Sequence, residues 1–341
     1  MQEINILYQF NDFYATYAGV SMFSLLENIK KNTYVNFYIL DDGISTNQKN
    51  RFKNFEAHYY CSIRYIETKP IIDKLTSMEV STWRGNYVCY LKFFAISYIE
   101  QDIDRLIYID ADTIICDDIS DMCKIDLQKK ICAMALEGIT CQYKQFIGLK
   151  NYDNYNAGVI IFDCDLWKKN NVEAIYINFL NKHGNYIHPE QDSISVLLKG
   201  KIYRLPPSYN YLSQHIYYST PKYFKRMKRN QECNDFYSLD ELDRDKIKVK
   251  ICHYIDLFTG RPWETNNINP FNELYDTYWK KSFWKDTLKI NPKYNVKEKT
   301  ERLLRKILPF SASNYFYFLC HKVYYTVYAK KYYHHLGESE E

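Results

Sequence analysis

The chain has 341 residues, 46% of them apolar and 25% charged, with a formal net charge of +4. That length suits one large domain, or one domain carrying an appendage. The composition excludes intrinsic disorder and a disulfide-stapled mini-protein, and the near-balanced charge gives no ground for a nucleic-acid partner. In chain order, Ile4–Tyr8 reads as a strand, Tyr17–Ile29 as a helix, and Val35–Leu40 as a strand closed by the turn Asp41-Asp42-Gly43. Asn47–Phe55 reads as a helix and Cys61–Ile66 as a strand. This alternation is the βαβ rhythm of a mostly parallel sheet covered on its faces. Tyr90–Ile99 reads as a helix, Arg105–Ile109 as a continuous apolar strand, and Ile131–Leu136 and Gly158–Phe162 as further buried strands. Leu166–Leu180 and Gln191–Leu198 read as helices, Lys248–Tyr254 as one more strand, and Asn269–Lys289 as a Trp- and Tyr-bearing helix. The expected fold class is therefore α/β, with a domain boundary near residue 266.

The ten cysteines include no C-x-x-C pair, which points to reduced thiols rather than a zinc or redox site. The first residues lack a basic segment followed by an apolar one, and no run reaches the roughly 18 apolar residues of a spanning helix. A cytoplasmic location is the expectation. From Lys293 to Lys331, nine Lys and Arg face only Glu298 and Glu301, a local charge of +7 interleaved with Leu, Phe and Tyr. That mixture suits a peripheral contact of residues 293–335 with an anionic membrane, such as the inner face of the plasma membrane. A helical packing extension is the competing reading.

The strongest chemical signal is Asp110-Ala111-Asp112, two carboxylates just past the apolar run Ile107-Tyr108-Ile109. Strand ends of open α/β sheets are where ligands bind, and hard oxygen donors there suit Mg²⁺ or Mn²⁺ with a diphosphate. Alone, such a pair also fits a solvated turn. A haloacid-dehalogenase-like phosphohydrolase would use an aspartate pair too, but that pattern places Thr or Val where Ile114 stands. Further segments accompany the pair: Tyr14–Tyr17 with Ser21–Leu26, Phe37–Ser45, Tyr90–Phe94, Asn156-Ala157-Gly158 before an apolar strand, Glu190-Gln191-Asp192 at a helix start, Pro207-Ser208-Tyr209-Asn210, and His253-Tyr254 followed by Arg261-Pro262-Trp263.

In this order, over residues 4 to 265, the set resembles glycosyltransferase family 8, the retaining sugar-nucleotide transferases that include lipopolysaccharide galactosyl- and glucosyltransferases. The resemblance implies a GT-A type, Rossmann-like catalytic domain over 1–265 and a helical basic and aromatic extension over 266–341. It implies Mn²⁺, with Mg²⁺ as the alternative, held by Asp110, Asp112 and His253. It also implies a UDP-glucose or UDP-galactose donor bound by Tyr14, Asn11, Lys92, Asp110, Ala111, Glu190, Gly260 and Arg261. Gln191, Asp192 and Asn156 match positions around the transferred sugar and are the implied catalytic residues, for front-face or double displacement. The acceptor would be a glycan or lipid-linked saccharide, such as lipopolysaccharide or capsule. A catalytically silent module on the same scaffold is the alternative. The sequence departs from the family pattern in Tyr8–Phe13, in Lys92 where Arg is usual, and in the eight-residue step from His253 to Arg261.

Overall fold

The computed structural model describes residues 2–139, 141–183, 186–213, 236–255 and 259–309, with isolated positions at 215, 221, 312, 319, 320, 323 and 327. Most of the basic segment expected at a membrane, from 310 onward, lies outside the described residues. Strand β1 (Gln2–Phe10) leads to helix α1 (Ala15–Asn28), β2 (Thr33–Asp41), α2 (Thr46–His58), β3 (Cys61–Glu67) and α3 (Lys69–Ser77). Helix α2 has a side-chain cap: Ser45 Oγ accepts the Gln48 N–H at 3.3 Å, satisfying a donor with no partner inside the helix, which is worth about 1 kcal/mol. Ahead of α1, Asn11 Oδ1 accepts the Tyr14 N–H at 3.1 Å and fixes the turn that leads into the helix.

The helix expected at Tyr90–Ile99 is a 3₁₀ segment, Val88–Tyr98. There follow β4 (Arg105–Ile109), β5 (Thr113–Ile115), β6 (Cys132–Leu136), α4 (Cys141–Phe146) and β7 (Tyr155–Asp163). The single helix expected over Leu166–Leu180 is two, α5 (Cys164–Lys169) and α6 (Val172–His183). Asn171 between them takes a left-handed φ of 51°, a conformation asparagine tolerates better than most residues. The remaining elements are α7 (Pro189–Leu197), β8 (Ile202–Leu205), β9 (Tyr211–Leu212), α8 (Leu239–Lys246), β10 (Ile251–His253), α9 (Asn272–Trp279) and α10 (Val296–Ile307).

The main sheet has seven strands in the order β3-β2-β1-β4-β7-β6-β8. All neighbours are parallel except β7, which runs antiparallel to both β4 and β6. Apolar clusters cover both faces: Ile6, Phe37, Ile107 and Ile161 face one side, and Leu7, Tyr108, Ile160 and Phe162 the other. Period-two alternation along each strand feeds the two clusters. A second sheet, β5-β10-β9, stands at the C-terminal end of β4. The chain thus passes from one sheet to the other through residues 110–112.

The helix expected over Asn269–Lys289 ends at Trp279. Beyond it the Ser282 hydroxyl accepts the Trp284 N–H, and the fully buried Trp284 ring packs against Gly19, Phe52 and Phe55. A Cβ on Gly19 would stand 2.4 Å from that ring, so the approach of residues 280–284 to α1 requires glycine there. On α10, Leu303, Leu304 and Ile307 are exposed. No helix among the described residues is long and apolar enough to cross a membrane.

Candidate functional site

Three backbone registers bring distant residues together at the joint between the sheets. Strand β4 pairs with β7 so that Ile109 faces Val159, and the Asp110 N–H donates to the Gly158 carbonyl at 2.8 Å. Strand β5 pairs with β10 so that Thr113 faces His253, and the Tyr254 N–H donates to the Asp112 carbonyl at 2.9 Å. Strand β9 runs beside β10, placing Leu212 opposite His253. Asp110, Asp112 and His253 consequently each offer a ligand atom within 4.8 Å of the others. His253 Nε2 lies 3.2 Å from Asp112 and 3.7 Å from Asp110.

The pairing of β6 with β7 shifts register between Met134 and Ala135, whose partners are Ile160 and Asn156. Residues 157–159 therefore have no partner in β6, and two of their freed backbone groups are taken up by side chains. Asn156 Oδ1 accepts the Gly158 N–H at 2.9 Å, and the Lys92 ammonium donates to the Ala157 carbonyl at 3.1 Å. Bulges of this kind re-aim side chains beside functional sites. Gly158 leaves the room the cluster needs: a Cβ there would stand 2.3 Å from His253 Cε1 and 2.9 Å from Asp110 Oδ2.

The charges of the cluster pull against burial. Burial raises the Asp110 pKa above the ordinary carboxylate value, although the Lys92 ammonium, 3.9 Å away, opposes the rise. For Asp112, burial is outweighed by the Arg261 guanidinium at 3.0 Å and by His253, and its pKa falls below the ordinary value. Burial lowers the His253 pKa less than the two carboxylates raise it, so the net direction is upward. Two acids and an imidazole facing one point form a site that favours a cation.

An open cleft of about 280 Å³ lies against the cluster, lined on its polar side by Asn11, Asp42, Lys92, Asp110, Asp112 and Glu190. Phe10, Tyr14, Val88, Tyr108 and Ala111 supply apolar walls. The Tyr14 hydroxyl accepts a hydrogen bond from Arg261 at 2.9 Å, closing the cleft on the side of the Gly260–Arg261 turn. Gly260 there has φ of +74°, which glycine adopts without strain.

Of the sequence-predicted residues, Tyr14, Asn11, Lys92, Asp110, Ala111, Asp112 and Glu190 meet in this cleft, and His253 and Arg261 border it through Asp112. Lys92 is only 4% exposed and stands behind Asp110, where its charge bears on the carboxylate. Gln191 is 9% exposed at the start of α7, next to Glu190. Asp192 is turned into the interior, where Oδ2 accepts from the Tyr143 hydroxyl at 2.6 Å and the His188 N–H at 3.1 Å. Burial raises its pKa to about 6. Asn156 is also turned inward, toward Asn210 and Glu137. Tyr108, whose hydroxyl donates to Asp110, and Asn210, hydrogen-bonded to His253, lie within the quoted motifs, but the sequence assigns neither a role at the site.

The sequence model of glycosyl transferase family 8 matches residues 5–267. The chain belongs to that family. Among its relatives, a lipopolysaccharide 1,2-glucosyltransferase of Escherichia coli K12 is 26% identical, over 83% of this chain and 79% of the relative. A lipopolysaccharide 1,3-galactosyltransferase of Salmonella typhimurium is 23% identical, over 85% and 82%. A Haemophilus influenzae protein named as a glycosyltransferase is 28% identical, over 62% of this chain and 64% of its own length. Among solved structures, an active-site mutant of LgtC superimposes with a TM-score of 0.65 at 18% identity, over 82% of this chain and 96% of that one. The fold is thus the GT-A type expected of a family 8 enzyme, with a mostly parallel central sheet.

Proposed function

We propose that this family 8 member is a retaining, metal-dependent hexosyltransferase moving glucose or galactose from UDP to a cell-surface glycan such as lipopolysaccharide or capsule. The observation that carries the reading is the Asp110–Asp112–His253 cluster facing an open cleft with aromatic walls. The donor set fits Mn²⁺, with Mg²⁺ as the alternative: two carboxylates, one imidazole nitrogen aimed at them, and open space for phosphate oxygens. When bound, the ion would neutralise charge developing on the leaving diphosphate.

The chain's own residues supply the rest. Tyr14 offers a ring face to the nucleobase, with Asn11 beside it in the cleft wall. Arg261, paired with Asp112 and Tyr14, is within reach of the diphosphate side and supplies a planar cation. At the start of α7, Glu190 carries the hydroxyl-recognition role and Gln191 the role on the reactive face of the anomeric carbon. The inward orientation of Asp192, already engaged by Tyr143 and His188, favours front-face displacement over a covalent intermediate on that carboxylate. The glycan acceptor is inferred from the relatives, which include a lipopolysaccharide glucosyltransferase and a lipopolysaccharide galactosyltransferase.

The reading is tested by screening purified protein for hydrolysis of UDP-hexoses with and without Mn²⁺. Metal-dependent release of UDP from one hexose donor supports it, and no release from any UDP-sugar refutes it. Exposed Leu303, Leu304 and Ile307 beside basic neighbours on α10 favour a peripheral membrane role for the C-terminal segment. Deleting 293–341 is expected to weaken binding to anionic vesicles while leaving donor hydrolysis in place; equal vesicle binding by both proteins would refute that role.

A further inference from the structure

A chain of buried amides runs from the backbone of β7 to the candidate metal ligand His253, and its polarity can be worked out atom by atom. The Gly158 N–H can only donate, and it donates to one side-chain atom of Asn156 at 2.9 Å, so that atom is the amide oxygen. The other Asn156 atom, Nδ2, donates to the Glu137 carboxylate at 2.8 Å, an acceptor that fixes the same orientation from the opposite end. Asn156 Oδ1 lies 2.8 Å from an Asn210 side-chain atom, which must therefore be the Asn210 amide nitrogen. The Asn210 oxygen is then left to face His253 Nδ1 at 2.9 Å. An oxygen with only lone pairs requires a proton on Nδ1.

We infer that Asn210, held by Asn156, is a positioning residue that keeps the proton on His253 Nδ1 and so assigns Nε2 as the atom that binds the metal. The inference rests on the metal-binding reading above. Both amides are buried, Asn210 at 0% and Asn156 at 5% exposure, which shields their bonds from bulk water. Nε2 meanwhile faces Asp112 and Asp110 at 3.2 and 3.7 Å. Partners that fix the tautomer and ring orientation of a ligating histidine govern metal affinity, and their loss costs about 10- to 100-fold. The relay gives Asn156 a role through the ligand rather than at the sugar. It also joins the end of β6, through Glu137, to the metal site some hundred residues away in sequence.

The test measures Mn²⁺ affinity in the presence of UDP, by titration calorimetry, for the full chain and two variants. Asn210→Leu fills similar space but offers no acceptor, and is expected to weaken Mn²⁺ binding by about 10- to 100-fold. Asn210→Asp keeps an acceptor for Nδ1–H and, when its other oxygen is protonated, a donor for Asn156 Oδ1, so below the pKa of that buried acid it is expected to bind Mn²⁺ more tightly than the leucine variant. Equal affinity of wild type and Asn210→Leu, or no advantage of Asp over Leu, would overturn the relay. Nitrogen-15 spectra of the wild-type complex with Mg²⁺ and UDP give a reading that does not depend on any variant folding. A proton on His253 Nδ1 supports the assignment; a proton on Nε2 overturns it while leaving nucleotide binding intact. Absence of any Mn²⁺ or Mg²⁺ binding by wild type would overturn the metal reading, and the relay with it.

Discussion

Replacing Gly158 by alanine adds one methyl group at the most crowded point of the site. The new Cβ would stand 2.3 Å from His253 Cε1, 2.7 Å from Nδ1 and 2.9 Å from Asp110 Oδ2, where ordinary contact begins near 3.4 Å. The imidazole must retreat by about 1 Å, and the carboxylate by about half as much. Metal sites tolerate ligand displacements of only about 0.2 Å, and a misplacement of about 1 Å in an active site can cost about 100-fold. His253 has little slack to take up the movement, because Nδ1, one of the two crowded ring atoms, is tied to Asn210 at 2.9 Å and a retreat stretches that bond. Overpacking of a buried site costs about 1–3 kcal/mol, which leaves a large domain folded. Gly158→Ala is therefore expected to retain its circular dichroism spectrum, melt a few degrees lower, and lose Mn²⁺ affinity by about 100-fold in titration calorimetry. A variant that folds and binds Mn²⁺ within about threefold of wild type would refute the idea that His253 and Asp110 hold the ion against Gly158.

Three further outcomes follow from the same geometry. Asp112→Asn removes one anionic ligand and the partner of Arg261, so the rise in melting temperature produced by Mn²⁺ with UDP-sugar should disappear. Arg261→Ala frees Asp112 from a competing cation at 3.0 Å; Mn²⁺ alone should bind more tightly while UDP binds more weakly, both readable by calorimetry. The pKa of buried Asp192 rises from its usual 3.8 to about 6, so protonation favours the folded state. The associated stability is fully present below pH 3.8, is lost as pH rises through about 6, and at about 1.4 kcal/mol per pH unit amounts to about 3 kcal/mol. Asp192→Asn should accordingly gain stability relative to wild type between pH 4 and 6 in urea unfolding, and a constant difference across that range would contradict the burial argument.

Much of this site could be read in the sequence because its first elements carry strong local patterns. The run Arg105–Ile109 has only apolar residues after its first, which marks a buried strand, and the acid pair at its end marks the ligand edge of the sheet. Asn156-Ala157-Gly158 stands out in the sequence only as part of the family pattern, and the register shift it sits in appears in the structure. Asn210 stands in the quoted segment Pro207-Ser208-Tyr209-Asn210, but nothing in that segment points to His253. Its importance arises only when β9, two residues long, lies beside β10 and turns that amide toward His253. Strand β5 is likewise three residues long, below the length at which alternation can be recognised. The break at Asn170-Asn171 is hidden in the sequence by apolar residues on both sides of it, while the left-handed φ of Asn171 separates the two helices. The inward turn of Asp192 depends on Tyr143, nearly fifty residues away, and helix periodicity does not carry that information.

A crystal grown with Mn²⁺ and UDP tests the central claim most directly, because manganese can be located by its anomalous scattering. One strong peak is expected in contact with Asp110, Asp112 and His253 Nε2, on the side of the cleft that holds the phosphates. A bound nucleotide with no metal at those three side chains, or a metal held by other residues, would contradict it.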